Sequence, residues 1–182
     1  MKADITRKLV DEHQLILRMI ALLENNAPRT AEGNYLNWQF YLDGIEFIRQ
    51  YADRFHHAKE EDVLFKALID NGMPKDNSPV AAMLMEHDQG RSFVSAMEDA
   101  VHEAQTGRKD NYQEIAKNAL GYAALLRDHI AKEDDILYPL SERVLPEALR
   151  ANILERYQAA EAKMSSTFSE HYNRIVKQYE QE

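Results

Sequence analysis

One pattern of histidine and glutamate, written twice, constrains this chain more than any other feature. Residues 55–67 read FHHAKEEDVLFKA and residues 128–140 read DHIAKEDDILYPL. Shifted by 73, the two segments share His-x-Ala-Lys-Glu, then an acid, an Asp, a β-branched residue, Leu and an aromatic. Upstream, Asp11-Glu12-His13 recurs as Met85-Glu86-His87, offset by 74. Each half is therefore a lone His followed 43 or 42 residues later by His-x-x-x-Glu. Residues four apart lie one above the other on a helix. His56 with Glu60, and His129 with Glu133, can each aim a nitrogen and a carboxylate at one spot. Four histidines and two glutamates suit two transition-metal ions bridged by the carboxylates.

The chain around these residues reads as helix throughout, and no run alternates long enough to make a strand. Breaks fall at Asn25–Asn34, Asn71–Pro79, Thr106–Asn111 and, more weakly, Val144–Pro146. They predict five helices, at 3–25, 34–70, 79–105, 111–143 and 146–180. The expected ligands lie on apolar stripes of the first four. His13 falls in line with Leu9, Ile16, Ile20 and Leu23, and His87 with Met83, Gly90, Val94, Met97 and Val101. Ile45, Ile48, Ala52, His56, Glu60, Val63 and Ala67 share a face, as do Tyr122, Leu125, His129, Glu133, Ile136 and Leu140. An unpaired buried carboxylate costs several kcal/mol, roughly, and its pKa rises. A bound metal offsets that cost for Glu60 and Glu133.

His57 is the rival to His56. Its neighbours at helical spacing are Gln50, Arg54, Glu61 and Leu64, so it is expected to point outward, and the repeat aligns it with Ile130. Glu61 reads as its solvated partner or as a support to a ligand. His102 and His171 read as surface histidines. Tyr122, on the stripe of His129, reads as a core tyrosine that could also donate a hydrogen bond or an electron. The last helix carries a long stripe from Leu149 to Tyr179, which must pack along the bundle or form a homodimer.

With 182 residues the chain reads as a bundle over 1–143 with a C-terminal helix over 144–182. No Cys is present, which removes disulfides, thiolate metal sites and cysteine nucleophiles together. The net charge of −9 argues against nucleic acid and anionic membranes. No apolar run reaches the ~18 residues of a membrane span, and the N-terminal Met-Lys-Ala-Asp lacks the apolar segment of a secretory leader. A cytoplasmic location is expected.

Imidazole and carboxylate donors suit iron, manganese or zinc. Two metals sharing two carboxylates stand roughly 3.5–4 Å apart. Two His, two shared Glu and a bridging hydroxide or oxide give each ion five ligands, leaving an octahedral ion one open position.

The order His13, His56-x-x-x-Glu60, His87, His129-x-x-x-Glu133 resembles the hemerythrin-like, HHE cation-binding family, over residues ~5–143. The resemblance implies an all-α fold, an antiparallel four-helix bundle with a non-haem di-iron centre in its core. It implies a protein that binds or senses oxygen, nitric oxide or iron. The alternative it implies is a di-iron enzyme that reduces peroxide or nitric oxide or repairs damaged iron centres. The oxygen carriers add a fifth His four residues after the third, where this chain has Arg91. Their final carboxylate is an Asp five residues after its His, where this chain has Asp134. Glu133 is preferred by its four-residue spacing and its match to Glu60.

Overall fold

The structure is a computed structural model that describes residues 3–182; Met1 and Lys2, on which part of the N-terminal reading rests, lie outside it. Among the described residues there are six helices and no strand. Helix α1 spans Arg7–Ala31. Helix α2 begins at Trp38–Phe47, winds through two π-helical stretches, Ile48–His57 and Glu60–Phe65, and ends at Lys66–Asp70. Helix α3 is Pro79–Gln105. Helix α4 runs Asn111–Lys132, a π-helical Glu133–Leu137, then Tyr138–Val144. Two further helices follow, α5 at Glu147–Glu161 and α6 at Phe168–Tyr179.

Local chemistry sets most of the boundaries. Asn37 accepts from the Phe40 amide, and Ser78 from the Ala81 amide with Pro79 at the first helical position. Gly72, just beyond α2, takes a φ of 100° that a side chain would resist. The short connections fold successive helices back on one another into a four-helix bundle.

Three expectations are corrected here. The break predicted from Asn25 comes later, because α1 continues through Pro28 to Ala31. Asn26, Ala27 and Thr30 are buried there, and the Thr30 hydroxyl bonds Tyr41 at 2.6 Å and the Tyr35 carbonyl at 2.8 Å. Packing thus outweighs the proline, which sits in the last turn. The single helix expected over 146–180 is two, broken at Ala162–Thr167, a run rich in serine and threonine. The third correction concerns faces. A π turn takes in one more residue than an α turn, so inward positions shift along the chain. Ile136, predicted inward, is 58% exposed, while Leu137 and Tyr138 are buried. His57, predicted outward, is buried, as is Leu64.

The core has two apolar clusters. One fills the bundle around Ile16, Ile20, Phe40, Phe47, Met97 and Ala119, and Tyr172, Val176 and Tyr179 of α6 join it. The other gathers Leu9, Phe65, Leu68, Met83, Tyr138 and Tyr157 of α5. The C-terminal stripe therefore packs on the bundle. The polar site lies between the two clusters, one His on each of α1 to α4.

Candidate metal centre

All six expected ligands are buried, each at 2% exposure or less, and they meet at one level of the bundle. They form two pairs. His13 Nε2 stands 3.0 Å from His56 Nε2, and His87 Nε2 stands 3.1 Å from His129 Nε2. The carboxylates lie between the pairs. Glu133 Oε2 is 3.3 Å from His13 Nε2, and its Oε1 is 3.2 Å from His129 Nε2. Glu60 Oε2 is 3.7 Å from His56 Nε2 and 3.6 Å from His87 Nε2. Each carboxylate thus spans one histidine of either pair.

The outer ring nitrogens are held just as regularly. His13 Nδ1 donates to Asp134 at 2.9 Å and His87 Nδ1 to Glu61 at 2.7 Å. His56 Nδ1 donates to Glu12 and His129 Nδ1 to Glu86, both at 2.9 Å. Lys59 and Lys132 in turn donate to Glu12 and Glu86. A carboxylate on Nδ1 fixes the tautomer and leaves the Nε2 lone pair facing inward. The acids and lysines that do this are the same residues that make the sequence repeat extend beyond its ligands. Glu12 with Glu86, Lys59 with Lys132, and Glu61 with Asp134 were therefore legible in the repeat as pairs, but their role in holding the histidines was not. Asp134 holds His13 from outside, and Glu133 is the carboxylate that enters the centre.

Two differences between the halves lie beside the ligands. Tyr138 donates to Glu60 Oε1 at 2.5 Å, while its repeat mate Phe65 only stacks on His87, with centroids 6.0 Å apart. His57 stacks on His87 at 3.8 Å, with Nδ1 3.5 Å from Asp53, whereas its mate is Ile130. Arg91 reaches Asp53 at 2.8 Å and Glu61 at 2.7 Å, bracing the group that holds His87.

Charge is distributed accordingly. Burial pulls His13 down, but its bond to Asp134 and the neighbouring Glu133 outweigh this and raise its pKa to about 9. Burial drives His56 and His57 well below the usual histidine range. Burial, with Glu133 alongside, pushes Glu60 well above the carboxylate range, and the histidine pairs hold Glu133 down against its own burial. The bond to His87, with Arg91 adding to it against partial burial, brings Glu61 to about 2.

Whether these residues fit a metal can be tested on unsatisfied atoms. Glu60 Oε2 and both oxygens of Glu133 are buried without a hydrogen-bond partner, a costly arrangement for a packed core. Two nitrogens bound at right angles to one ion, at roughly 2.1 Å each, stand about 3.0 Å apart, which matches the Nε2 spacing of both pairs. Two buried groups bring their donor atoms within 4.8 Å of one another: His13, His56, Glu60 and Glu133, and His57, Glu60, His87 and His129. The donor set and its spacing fit metal cations.

Residues 4–141 match the family model of the hemerythrin HHE cation binding domain. The chain belongs to the hemerythrin HHE cation-binding family. Uncharacterized proteins of Mycobacterium tuberculosis (Rv1995) and Mycobacterium bovis (Mb2018) are each 20% identical over 153 residues. The matched stretch is 84% of this hemerythrin-like chain and 59% of each relative, so the chain spans about three fifths of their length. No solved structure matches it significantly. Among the described residues of this hemerythrin-like protein, no helix is long and apolar enough to cross a membrane.

Proposed function

We propose that this hemerythrin-like protein holds two iron ions and uses them to bind or sense a small ligand, oxygen or nitric oxide. His13 and His56 would hold one ion, His87 and His129 the other, with Glu60 and Glu133 bridging them. The observation that carries this reading is the pair of buried carboxylates between two pairs of histidine nitrogens, with Glu60 Oε2 and both Glu133 oxygens lacking a hydrogen-bond partner. Zinc and manganese accept the same donors. When bound, a di-iron pair supplies one-electron chemistry and an open coordination position for a diatomic molecule or peroxide.

The residues of the chain do the rest. The four Nδ1 carboxylates orient the rings before metal arrives, which limits the reorganisation that binding requires. The apolar clusters on either side shield the two ends of the centre from bulk water. Tyr138 keeps Glu60 from swinging away from the centre.

Anaerobic reconstitution with ferrous iron, followed by metal analysis and visible spectra on exposure to oxygen or nitric oxide, tests the reading. Two irons per chain and ligand-dependent bands are expected. Fewer than one iron per chain after reconstitution, or a loaded protein indifferent to both gases, refutes it.

A further inference from the structure

The repeat makes the two metal positions near copies, so the places where the copies differ are informative. At the His56 position, Lys59 and Glu12 form the outer support, and the Lys59 side chain is 0% exposed. At the His129 position, Lys132 and Glu86 play the same part, and Lys132 is 41% exposed. The other two supports are exposed to the same degree. Asp134 and Glu61 are 29% and 27% exposed. The unequal burial of the supports is therefore confined to the Lys59 and Lys132 pair.

The cover over Lys59 comes from α5 and α6, which lie beyond the residues that match the family. Glu161, the last residue of α5, accepts from Lys59 at 3.0 Å and also from Lys8. Lys59 lies 3.8 Å over the Phe55 ring, and Phe168 of α6 packs on Phe55 with centroids 5.1 Å apart. A continuous string of bonds runs Glu161–Lys59–Glu12–His56, from the C-terminal segment to the centre.

Beside His87 and its neighbour Glu86 lies a cavity of about 230 Å³. His57, His87, Gly90, Val94 and Tyr122 are among the residues that line it. The Tyr122 hydroxyl is buried there without a hydrogen-bond partner. Arg49 and Arg91 also line the cavity, and their side chains are 40% and 42% exposed, so it meets solvent at these two residues. At about 30 Å³ per water molecule, the space admits several small molecules at once.

We propose that the C-terminal helices lock the His13–His56 position through Glu161, and that metal and small ligands exchange at the His87–His129 position through this cavity. Glu161 is then a positioning residue, acting on His56 through Lys59 and Glu12. An incoming small molecule meets Arg49 and Arg91 at the mouth, and Tyr122 and His57 are among the buried polar groups within. The proposal rests on the two-metal reading above and adds an order to it: one ion is held, the other is exchangeable.

Chelator-driven release from protein loaded with two cobalt ions, followed by its visible bands, separates the positions. Wild type should lose cobalt in two phases of equal amplitude. Glu161→Ala should speed the slow phase by up to about tenfold, the low end of the cost of disturbing a ligand's support because Glu161 acts through Lys59 and Glu12, and leave the fast phase in place. Val94→Phe, which fills the cavity, should slow the fast phase alone. Glu161→Gln, which keeps a hydrogen bond but not the charge, should fall between Glu161→Ala and wild type and gives a second variant if Glu161→Ala folds poorly by circular dichroism. Release of both ions in one phase overturns this proposal alone, as does an equal effect of Glu161→Ala on both phases. A wild-type protein that takes up no cobalt overturns the two-metal reading itself.

Discussion

Lys59 and Lys132 occupy equivalent places in the repeat, yet one is buried and the other is not, and this difference sets up a sharp comparison. Replacing Lys59 with Met keeps much of its volume but strands Glu12 and Glu161, which both accept from it. Glu12 is 8% exposed and its pKa is already raised by burial, against the pull of Lys59. Breaking a buried ion pair by removing one partner costs about 3–5 kcal/mol. Lys132→Met breaks the corresponding bond to Glu86, but a pair with one partner 41% exposed is largely screened, and the loss should stay near or below about 1 kcal/mol. For a chain of this length each kcal/mol moves Tm by roughly 2–4 °C. Lys59→Met should therefore melt at least about 6 °C lower than wild type, and Lys132→Met within about 4 °C of it. The assay is thermal and urea unfolding of the metal-free protein, so that lost metal does not confuse the comparison. Equal destabilisation by the two substitutions would refute the claim that the C-terminal helices bury one half of the site.

Glu133→Gln removes the anionic bridge while keeping its shape, and metal analysis after reconstitution should find fewer than two ions per chain, with a second-ion affinity at least about tenfold weaker; retention of two tightly held ions would move the bridging role to Asp134. Tyr138→Phe imitates the repeat mate Phe65 and deletes the bond to Glu60; it should cost the metal-free fold about 1–2 kcal/mol in urea unfolding and leave two ions bound, whereas loss of an ion would place the hydroxyl on the metal. Between pH 6.5 and about 9 the metal-free protein should lose stability as pH rises. His13 is raised from 6.5 to about 9 in the fold, so its contribution is complete below 6.5 and fades through about 9. Loading should reverse the sign over that window, because metal must displace the His13 proton; melting curves of both forms at pH 6.5 and 9 check it, and parallel slopes would contradict it.

The sequence alone determined the bundle and the six inward side chains. A four-residue spacing on apolar stripes places His13, His56, Glu60, His87, His129 and Glu133 inside, because helical geometry is local and needs no knowledge of neighbours. Tertiary structure decided what lies around them. The π-helical turns at Ile48–His57 and Glu133–Leu137 draw in His57 and Tyr138 and turn Ile136 out. A 3.6-residue period cannot show an inserted residue, since the extra turn is stabilised by what it buries. The Nδ1 supports were present in the repeat, but their pairing joins residues 26 to 121 apart in the chain. The unequal burial of the two supporting lysines was hidden altogether. Lys59 and Lys132 are the same residue in the same motif, and only the packing of α5 and α6 against one side makes the first a buried charge and leaves the second at the surface.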